Sequence, residues 1–582
     1  MKPGKYKYTV AAMAALLGLA LGWRAWRALE FSRLLDCRHC LVAPAMAQEM
    51  YLFLGLVCLY GAVARWLPRG KSAVRLAGVL LLCVSVADIA AQEFFYTRLT
   101  WHDVAKFWSE ADSLLIFLKI LGSTKTNALI IALLAIPAAL LLVGFVGYGD
   151  AKVPAWASVL CGLAFVPLAT LQEAGSHHLY IKNSLFTFIS TPSRQHSYPA
   201  DWVEKHAPTF QHNAPQTCHA STKAPLLNPS RIILVVVESL SSYHSQAYGG
   251  IHNWTPQLDQ WARTGWQFNQ FLANGKTTEE GLFALLTGHN PLTMPGQASV
   301  YARALDSQAT LPGTLRRHGF HTAFLTSGDL GFMDKGDWLR RVGFDEIEGH
   351  DAPFYDGHPR HHFSAVNDDT LYDRSLQWLR EQGPHKTFLT IETVSTHQPF
   401  QDPLTRKISI EGAFRYADAA LGRFIHQLKA SGFLDNSLLI VTSDHRAMVP
   451  ASAGEKTHMG PRYLSRIPLF VLGQGVPQRQ EATPYSQQDL LPSLTRMVTR
   501  EPLCTPPWQG FFGLDDSAPP ACIASSRSPE PDHIFLQCGP KDTNNHDIVL
   551  DAHHTRYLGP AGAPQYLQLI HRMRTGLQPA PH

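Results

Sequence analysis

The sequence predicts a chain in two parts: an N-terminal bundle of about five transmembrane helices, then an α/β domain with a mostly parallel sheet covered by helices on both faces. Three observations carry this. Up to about Ser176 the chain is a series of long apolar runs. Beyond it, short β-branched runs alternate with helical patterns. Strands of that kind are buried on both faces, as in a parallel sheet flanked by helices. Third, only 16% of the 582 residues are charged, against roughly 25% in an ordinary soluble protein, which excludes a wholly soluble chain. A net charge of +4 is too small to point to nucleic acid.

Five runs approach the ~20 apolar residues that a spanning helix needs: Tyr8–Trp26, Ala45–Val63, Ala73–Ala91, Ala128–Val146 and Val153–Leu171. The fourth carries no charge from Ala128 to Gly149. The third contains Asp88, near enough to one end of its run to reach the interface. Arg24 and Arg27 follow the first apolar core at once and no convincing A-x-A cleavage site precedes the later runs, so the first run reads as a retained helix rather than a cleaved leader. Residues 101–121, which mix aromatics, charges and an apolar end, read as a helix lying in the interface. The basic residues divide: Lys2, Lys5, Lys7, Arg65, Arg69, Lys71 and Arg75 favour a cytoplasmic N-terminus, while Arg24, Arg27, Arg33 and Arg38 oppose it.

Cys218, Cys504, Cys522 and Cys538 form an even set in the second part, and Cys504 and Cys522 bracket a Pro/Gly-rich loop as a disulfide would. That usage favours an oxidising, extracytoplasmic compartment. Cys37 and Cys40 make a lone C-x-x-C, too little for a zinc or redox site. The chain therefore divides into a transmembrane domain (1–175), a connector (176–229) and an extracytoplasmic α/β domain (230–582).

In that last domain, strands are expected at Arg231–Val237 (RIILVVV), Thr322–Leu325, Thr387–Ile391, Ser437–Val441 and Ile467–Leu472, with helices over Asp369–Arg380 and Gly412–Ala430. Ligands in such folds bind at the carboxyl ends of the strands, and ligand-type residues cluster there. The first strand runs into Glu238 (VVVES), the one at Ser437 into Asp444 and His445 (IVTSDHR), and the one at Thr387 into His397 (TVSTHQPF). Asn274–Glu280 (NGKTTEE) is a loop ahead of a helical pattern. Singly, these are a helix cap, a turn and a solvated loop. Together on one sheet edge, two carboxylates, an imidazole and a hydroxyl fit Mn²⁺, Mg²⁺ or Zn²⁺. Such an ion would lower the pKa of a threonine hydroxyl and make it a nucleophile at neutral pH.

The motifs VVVES at Glu238, TPQLDQWARTG from Thr255, NGKTTEEG around Thr277, STHQPF at His397, SDH at Asp444–His445 and RIPLFVLG from Arg466 occur in one chain behind a membrane segment. In this combination the protein resembles the lipoteichoic acid synthases, of the sulfatase-like branch of the alkaline phosphatase superfamily. The resemblance implies a sulfatase-like fold and one divalent ion, usually Mn²⁺, held by Glu238, Thr277, Asp444 and His445. It implies that Thr277 attacks the phosphodiester of phosphatidylglycerol, expels diacylglycerol, and passes phosphoglycerol to a hydroxyl of an envelope glycan or polyol. The enzyme would then sit in the inner (plasma) membrane with its catalytic domain outside the cytoplasm. Thr278 competes with Thr277 for the nucleophile; the GKT alignment favours Thr277. His397 stands where the family has a substrate-binding histidine, and His458 (KTHMGPR) is a second candidate for phosphate.

In the segment Gly328–Lys335 (GDLGFMDK), Asp329 fits the family's Asp, Met333 stands in place of a Trp and Lys335 in place of an Arg. Lys neutralises a phosphate but lacks the guanidinium fork, so the headgroup pocket is altered. The related phosphoethanolamine transferases carry their Thr in a small-residue run leading to Pro-Cys, and sulfatases need C-x-P-x-R or S-x-P-x-R; GKTTEEG has neither. An inactive scaffold or sensor would be favoured by loss of a metal ligand, and all candidates are present.

Overall fold

The run Arg231–Val237 forms strand β1, and every residue after Arg231 in it is buried. Its alternate side chains Ile232, Leu234 and Val236 enter one core together with Phe283, Leu315, Trp338 and Leu490, while Ile233 and Val235 are equally inaccessible on the other side. A strand with two buried faces belongs at the centre of a covered sheet.

In this computed structural model the described residues are 229–292, 300–302, 309–460, 462–499, 501–513 and 517–526, with 217–220, the strands at 533–538, 546–550 and 557–558, and parts of 22–55, 84–101 and 156–188. The chain forms two compact units, residues 1–194 with 449–454, and residues 195–448 with 455–582.

In the second unit an eight-stranded mixed sheet carries the site. Its other strands are β2 (Trp266–Phe268), β3 (His321–Thr326), β4 (Glu346–Glu348), β5 (Thr387–Glu392), β6 (Ser437–Ser443), β7 (Leu469–Gly473) and β8 (Arg479–Glu481). The order across the sheet is β8-β2-β7-β6-β1-β5-β3-β4. Only β7 runs antiparallel to its neighbours β6 and β2, so the expectation of a mostly parallel sheet holds while the strand expected at Ile467–Leu472 is reversed and divided. Pro468 has no N–H for a ladder, and Arg466–Ile467 instead belongs to a separate small sheet. The three-residue strands β2, β4 and β8 are too short to show a period in sequence.

Helices α1 (Pro256–Thr264), α2 (Thr278–Thr287), α3 (Leu311–Arg317), α4 (Lys335–Val342), α5 (Asp368–Glu381), α6 (Ile410–Ala430), α7 (Ala453–Met459) and α8 (Leu490–Thr499) complete the domain. They pack in two groups: α2, α3 and α8 touch one another, as do α5 with α6 and α6 with α1. Across the second group Tyr372 of α5 stacks on Phe424 of α6 with ring centroids 4.6 Å apart. Helices α5 and α6 extend their sequence expectations by one or two residues at an end, the ordinary scatter of helix boundaries.

Beyond the sheet, Thr217–His219 pairs with Leu503–Thr505, and Cys218 sits opposite Cys504 and is bonded to it. The pairing of Cys504 with Cys522 across the Pro/Gly loop is thus corrected: strand pairing brings the distant Cys218 to Cys504. Cys522 is itself disulfide-bonded, and its Cα lies opposite Cys538 in a four-stranded antiparallel sheet.

In the first unit, Cys37 and Cys40 are joined as a disulfide. Asp88 is fully buried in an ion pair with Arg98 at 2.9 Å and also accepts from the Leu99 N–H. Arg24 donates to the carbonyls of Tyr180, Ile181 and Lys182. Among the described residues no helix is long and apolar enough to cross a membrane. The run Ala128–Val146 and residues 102–121 lie outside the described residues, and only parts of the other four runs fall within them.

The Cys218–Cys504 bridge joins residues 286 positions apart, and a loop of that size removes much chain entropy from the unfolded state. Replacing both cysteines by serine is expected to cost about 2–5 kcal/mol. The shift in the denaturant midpoint of the purified chain measures it; an unchanged midpoint would show that the bridge adds nothing.

Candidate metal and nucleophile site

Glu238 is the first residue past β1, Asp444 and His445 the first two past β6, and these strands are sheet neighbours in register from Arg231 opposite Ser437 to Val237 opposite Ser443. Register alone therefore delivers both carboxylates to one point on the carboxyl edge. The backbone there is held from several sides. The Glu238 N–H donates to Thr393 Oγ1 at 3.0 Å, and Thr396 Oγ1 donates to the Glu238 carbonyl at 2.6 Å. Ser239 adopts φ +56°, a strained value for a residue with a side chain. In that conformation its N–H reaches Asp444 Oδ1 at 2.8 Å and its hydroxyl reaches Glu238 Oε1 at 2.6 Å.

Glu238, Asp444 and His445 are all buried, and one ligand atom from each lies within 4.8 Å of the others. Asp444 Oδ1 also accepts from the His445 N–H, whereas Oδ2 is buried without a hydrogen-bond partner. His445 Nδ1 faces the Arg446 carbonyl at 2.8 Å. A carbonyl only accepts, so Nδ1 carries the proton and Nε2 is turned to the carboxylates, 3.3 Å from Asp444 and 3.6 Å from Glu238. Burial, reinforced by Glu238, pushes the Asp444 carboxyl up to about 7. Burial opposes protonation of His445, but Asp444 and Glu238 outweigh it and raise its pKa. The field that draws a proton to this spot draws a divalent cation equally. An unpartnered carboxylate oxygen, a second carboxylate and an oriented imidazole suit a divalent metal.

The hydroxyl in this group is that of Thr278. As the first residue of α2 it places Oγ1 3.1 Å from Glu238 Oε2 and 3.4 Å from His445 Nε2. Thr277 is the N-cap, and its Oγ1 accepts from the Glu280 N–H at 3.3 Å while Glu280 Oε2 accepts from the Lys276 N–H at 2.6 Å. Capping thus turns the Thr277 hydroxyl toward the helix amides, and the residue placed against the ligands differs by one from the sequence expectation. Gly281 has a steric role: a Cβ there would collide with the Asp444 carbonyl oxygen, so only glycine lets the first turn of α2 lie against that strand end.

His397, past β5, directs Nδ1–H to the Gln398 carbonyl at 2.7 Å and packs its ring 4.6 Å from Phe363 and 5.6 Å from His362. Burial pushes its imidazole down to about 4. Lys335, expected at a substrate phosphate, instead grips both oxygens of Glu392 at 2.7 and 2.8 Å. Glu392, the last residue of β5 and 1% exposed, was not singled out from sequence; its signal was the strand-end position it shares with Glu238. Asp329 Oδ1 accepts from the Gly331 N–H at 2.7 Å and lies 3.8 Å from His350, outside the carboxylate group. Met333 and Asp334, with Phe363 and Ser364, all take left-handed φ values near +55°, and Phe332 meets Phe363 at 5.2 Å. His458 is exposed on α7. Sequence reading also passed over Arg446, which clasps Glu455 in a buried ion pair beside His445, and Gln487, whose amide donates to the Ser443 carbonyl at 3.0 Å.

Residues 230–498 match the protein family described as Sulfatase. Among the relatives of this chain is phosphoglycerol transferase I of Xanthomonas campestris pv. campestris, 27% identical over 330 residues, or 52% of this chain and 45% of that protein. Lipoteichoic acid synthase 1 of Bacillus subtilis is 24% identical over 295 residues, 46% of this chain and 45% of that one. The chain thus matches less than half the length of these curated relatives. The crystal structure of the lipoteichoic acid synthase LtaP from Listeria monocytogenes overlays with a TM-score of 0.48 at 19% identity, covering 64% of this chain and 96% of that chain. The family match and the curated relatives make residues 230–498 sulfatase-like, with similarity to phosphoglycerol transferases and lipoteichoic acid synthases.

Two outcomes follow from the geometry. Asp444→Asn and His445→Ala are each expected to strip bound divalent metal from the purified chain, read by elemental analysis; retention at the wild-type level would refute the assignment. His361 and His397 are both held near 4 by burial, against about 6.5 in an unfolded chain. Held neutral, they contribute stability that is complete above pH ~6.5 and lost as pH falls toward 4, by up to about 1.4 kcal/mol per pH unit for each. Replacing both by asparagine should flatten the acid limb of a stability-against-pH curve between those values; an unchanged limb would show that the two rings are accessible to protons.

Proposed function

We propose that this chain transfers the phosphoglycerol headgroup of phosphatidylglycerol to a hydroxyl of an envelope glycan or polyol, releasing diacylglycerol. The observation that carries the reading is the buried Glu238–Asp444–His445 group with a threonine hydroxyl 3.1 Å away at a helix N-terminus. The relatives named phosphoglycerol transferase and lipoteichoic acid synthase support it. The long apolar runs before Ser176 support a membrane anchor, and the disulfides support a catalytic domain on the extracytoplasmic side of the inner membrane.

A divalent cation, Mn²⁺ ahead of Mg²⁺ or Zn²⁺, held by Glu238, Asp444 and His445 would stabilise charge on the phosphoryl oxygens and favour the ionised hydroxyl. The chain supplies the rest. The N-terminus of α2, where Thr278 sits against Glu238, favours a negatively charged phosphoryl group through the helix dipole. A threonine oxygen there bonds to phosphorus as the diacylglycerol oxygen leaves, and the acceptor hydroxyl displaces it in a second step. His397, with Nδ1–H committed to Gln398, offers an unprotonated Nε2. It accepts a hydrogen bond from a glycerol or acceptor hydroxyl instead of donating one to phosphate.

Two hydroxyls stand at this helix end. The GKT motif favours Thr277; position favours Thr278, already against Glu238 and His445. With labelled phosphatidylglycerol and the full chain, Thr→Ala at the nucleophile is expected to abolish diacylglycerol release, a loss of at least about 10³-fold. The neighbouring substitution should leave most turnover, and peptide mass spectrometry should find phosphoglycerol on the same residue. Release from labelled phosphatidylethanolamine in place of phosphatidylglycerol would overturn the donor assignment.

A further inference from the structure

The segment that carries His397 continues through Phe400 into a tight hairpin, residues 401–408 (QDPLTRKI), before α6 begins. Its ends are joined by a bridge between Gln401 and Ile408. Asp402 organises the inside: its carboxylate accepts from the Leu404 N–H at 2.9 Å and the Thr405 hydroxyl at 2.7 Å. Its own N–H and carbonyl bond to the Lys407 carbonyl and the Arg406 N–H, each at 2.8 Å. Arg406 is held at φ +60°, a conformation that disfavours any side chain with a Cβ.

This ordered hairpin presents apolar side chains to the outside. Leu404 is 78% exposed and Ile408 43%. Arg406 and Lys407 stand exposed between them, and among the described residues neither enters an ion pair, whereas the nearby Glu411 is taken up by Arg415 at 2.7 Å. A single exposed leucine is unremarkable on a soluble surface. A rigid loop that holds two apolar groups outward with two cations beside them has the composition of an interfacial anchor.

We propose that hairpin 401–408 docks on the surface of an anionic phospholipid bilayer, with Leu404 and Ile408 entering the headgroup–acyl boundary and Arg406 and Lys407 against lipid phosphates. The cations select this occupant: they complement a negatively charged lipid surface and gain nothing from a neutral one. The inference deepens the reading of a phospholipid donor, since the hairpin follows directly from the His397 segment and would bring a headgroup to the strand ends.

The test uses the full chain in lipid nanodiscs, with Leu404→Cys carrying an environment-sensitive fluorophore and the wild type treated alike as background. Emission should shift to the blue when phosphatidylglycerol is added to phosphatidylcholine discs, and the joint change Arg406→Glu with Lys407→Glu should remove the shift. Equal emission in both lipid compositions, or a shift that survives the charge reversal, overturns the proposal. In parallel, Leu404→Asp should lower turnover of long-chain phosphatidylglycerol in a bilayer several-fold and leave a dispersed short-chain analogue unaffected. An equal loss on both donors would also overturn it, by placing Leu404 in the fold or the chemistry. A blue shift in a chain that consumes neither lipid would uphold the hairpin's role and sink the donor reading instead.

Discussion

Two buried carboxylates beside one another are the constraint on which the site depends. Glu238 and Asp444 leave adjacent parallel strands at the same level, and neither can escape to solvent. Like charges so placed repel unless a proton or a cation lies between them. The surrounding hydrogen bonds do not relieve this. They fix it, through the strained Ser239 that ties the two carboxylates together and through Arg446, whose charge is consumed by Glu455.

The same edge shows how the chain distinguishes a structural carboxylate from a ligand. Glu392 ends β5, opposite Val236 on β1, and is as buried as Glu238. Yet it has its own counter-ion, since Lys335 grips both its oxygens. Of three carboxylates at the ends of three adjacent strands, one is neutralised from within and two converge with an imidazole and an unpartnered oxygen. A protein that needed only to bury these groups would pair them all. Leaving two without a cationic side chain is stability given up at a site for function.

Much of this was legible in the sequence. β1 and β6 read as buried strands because all their residues after Arg231 are apolar or small, and the polar residues that follow each run fall by topology on the carboxyl edge. Glu238, Asp444 and His445 were therefore visible as a set before any coordinates. The proposed nucleophile was legible only to the pair Thr277–Thr278, because which hydroxyl turns inward depends on where α2 takes its cap, and helix starts are uncertain by a residue or two in any sequence. Lys335 was assigned by position to a phosphate, but its partner lies 57 residues away on a strand that pattern alone could not place beside it. The reversal of β7 and the Cys218–Cys504 pairing escaped for the same reason: both are set by tertiary neighbours far apart in sequence.

Glycine ties these layers together. Gly281 reads in sequence as a poor choice for the first turn of a helix. In the fold it is the residue that lets α2 lie against the Asp444 backbone, with no room for a methyl group between them. That contact sets how close the threonine hydroxyls come to the ligands, so a reactive geometry at one residue is bought by conformational weakness three or four residues further along. The motif NGKTTEEG is thus a single mechanical unit: the Thr277–Glu280 cap orients the helix, Gly281 seats it, and the hydroxyl between them meets the carboxylates.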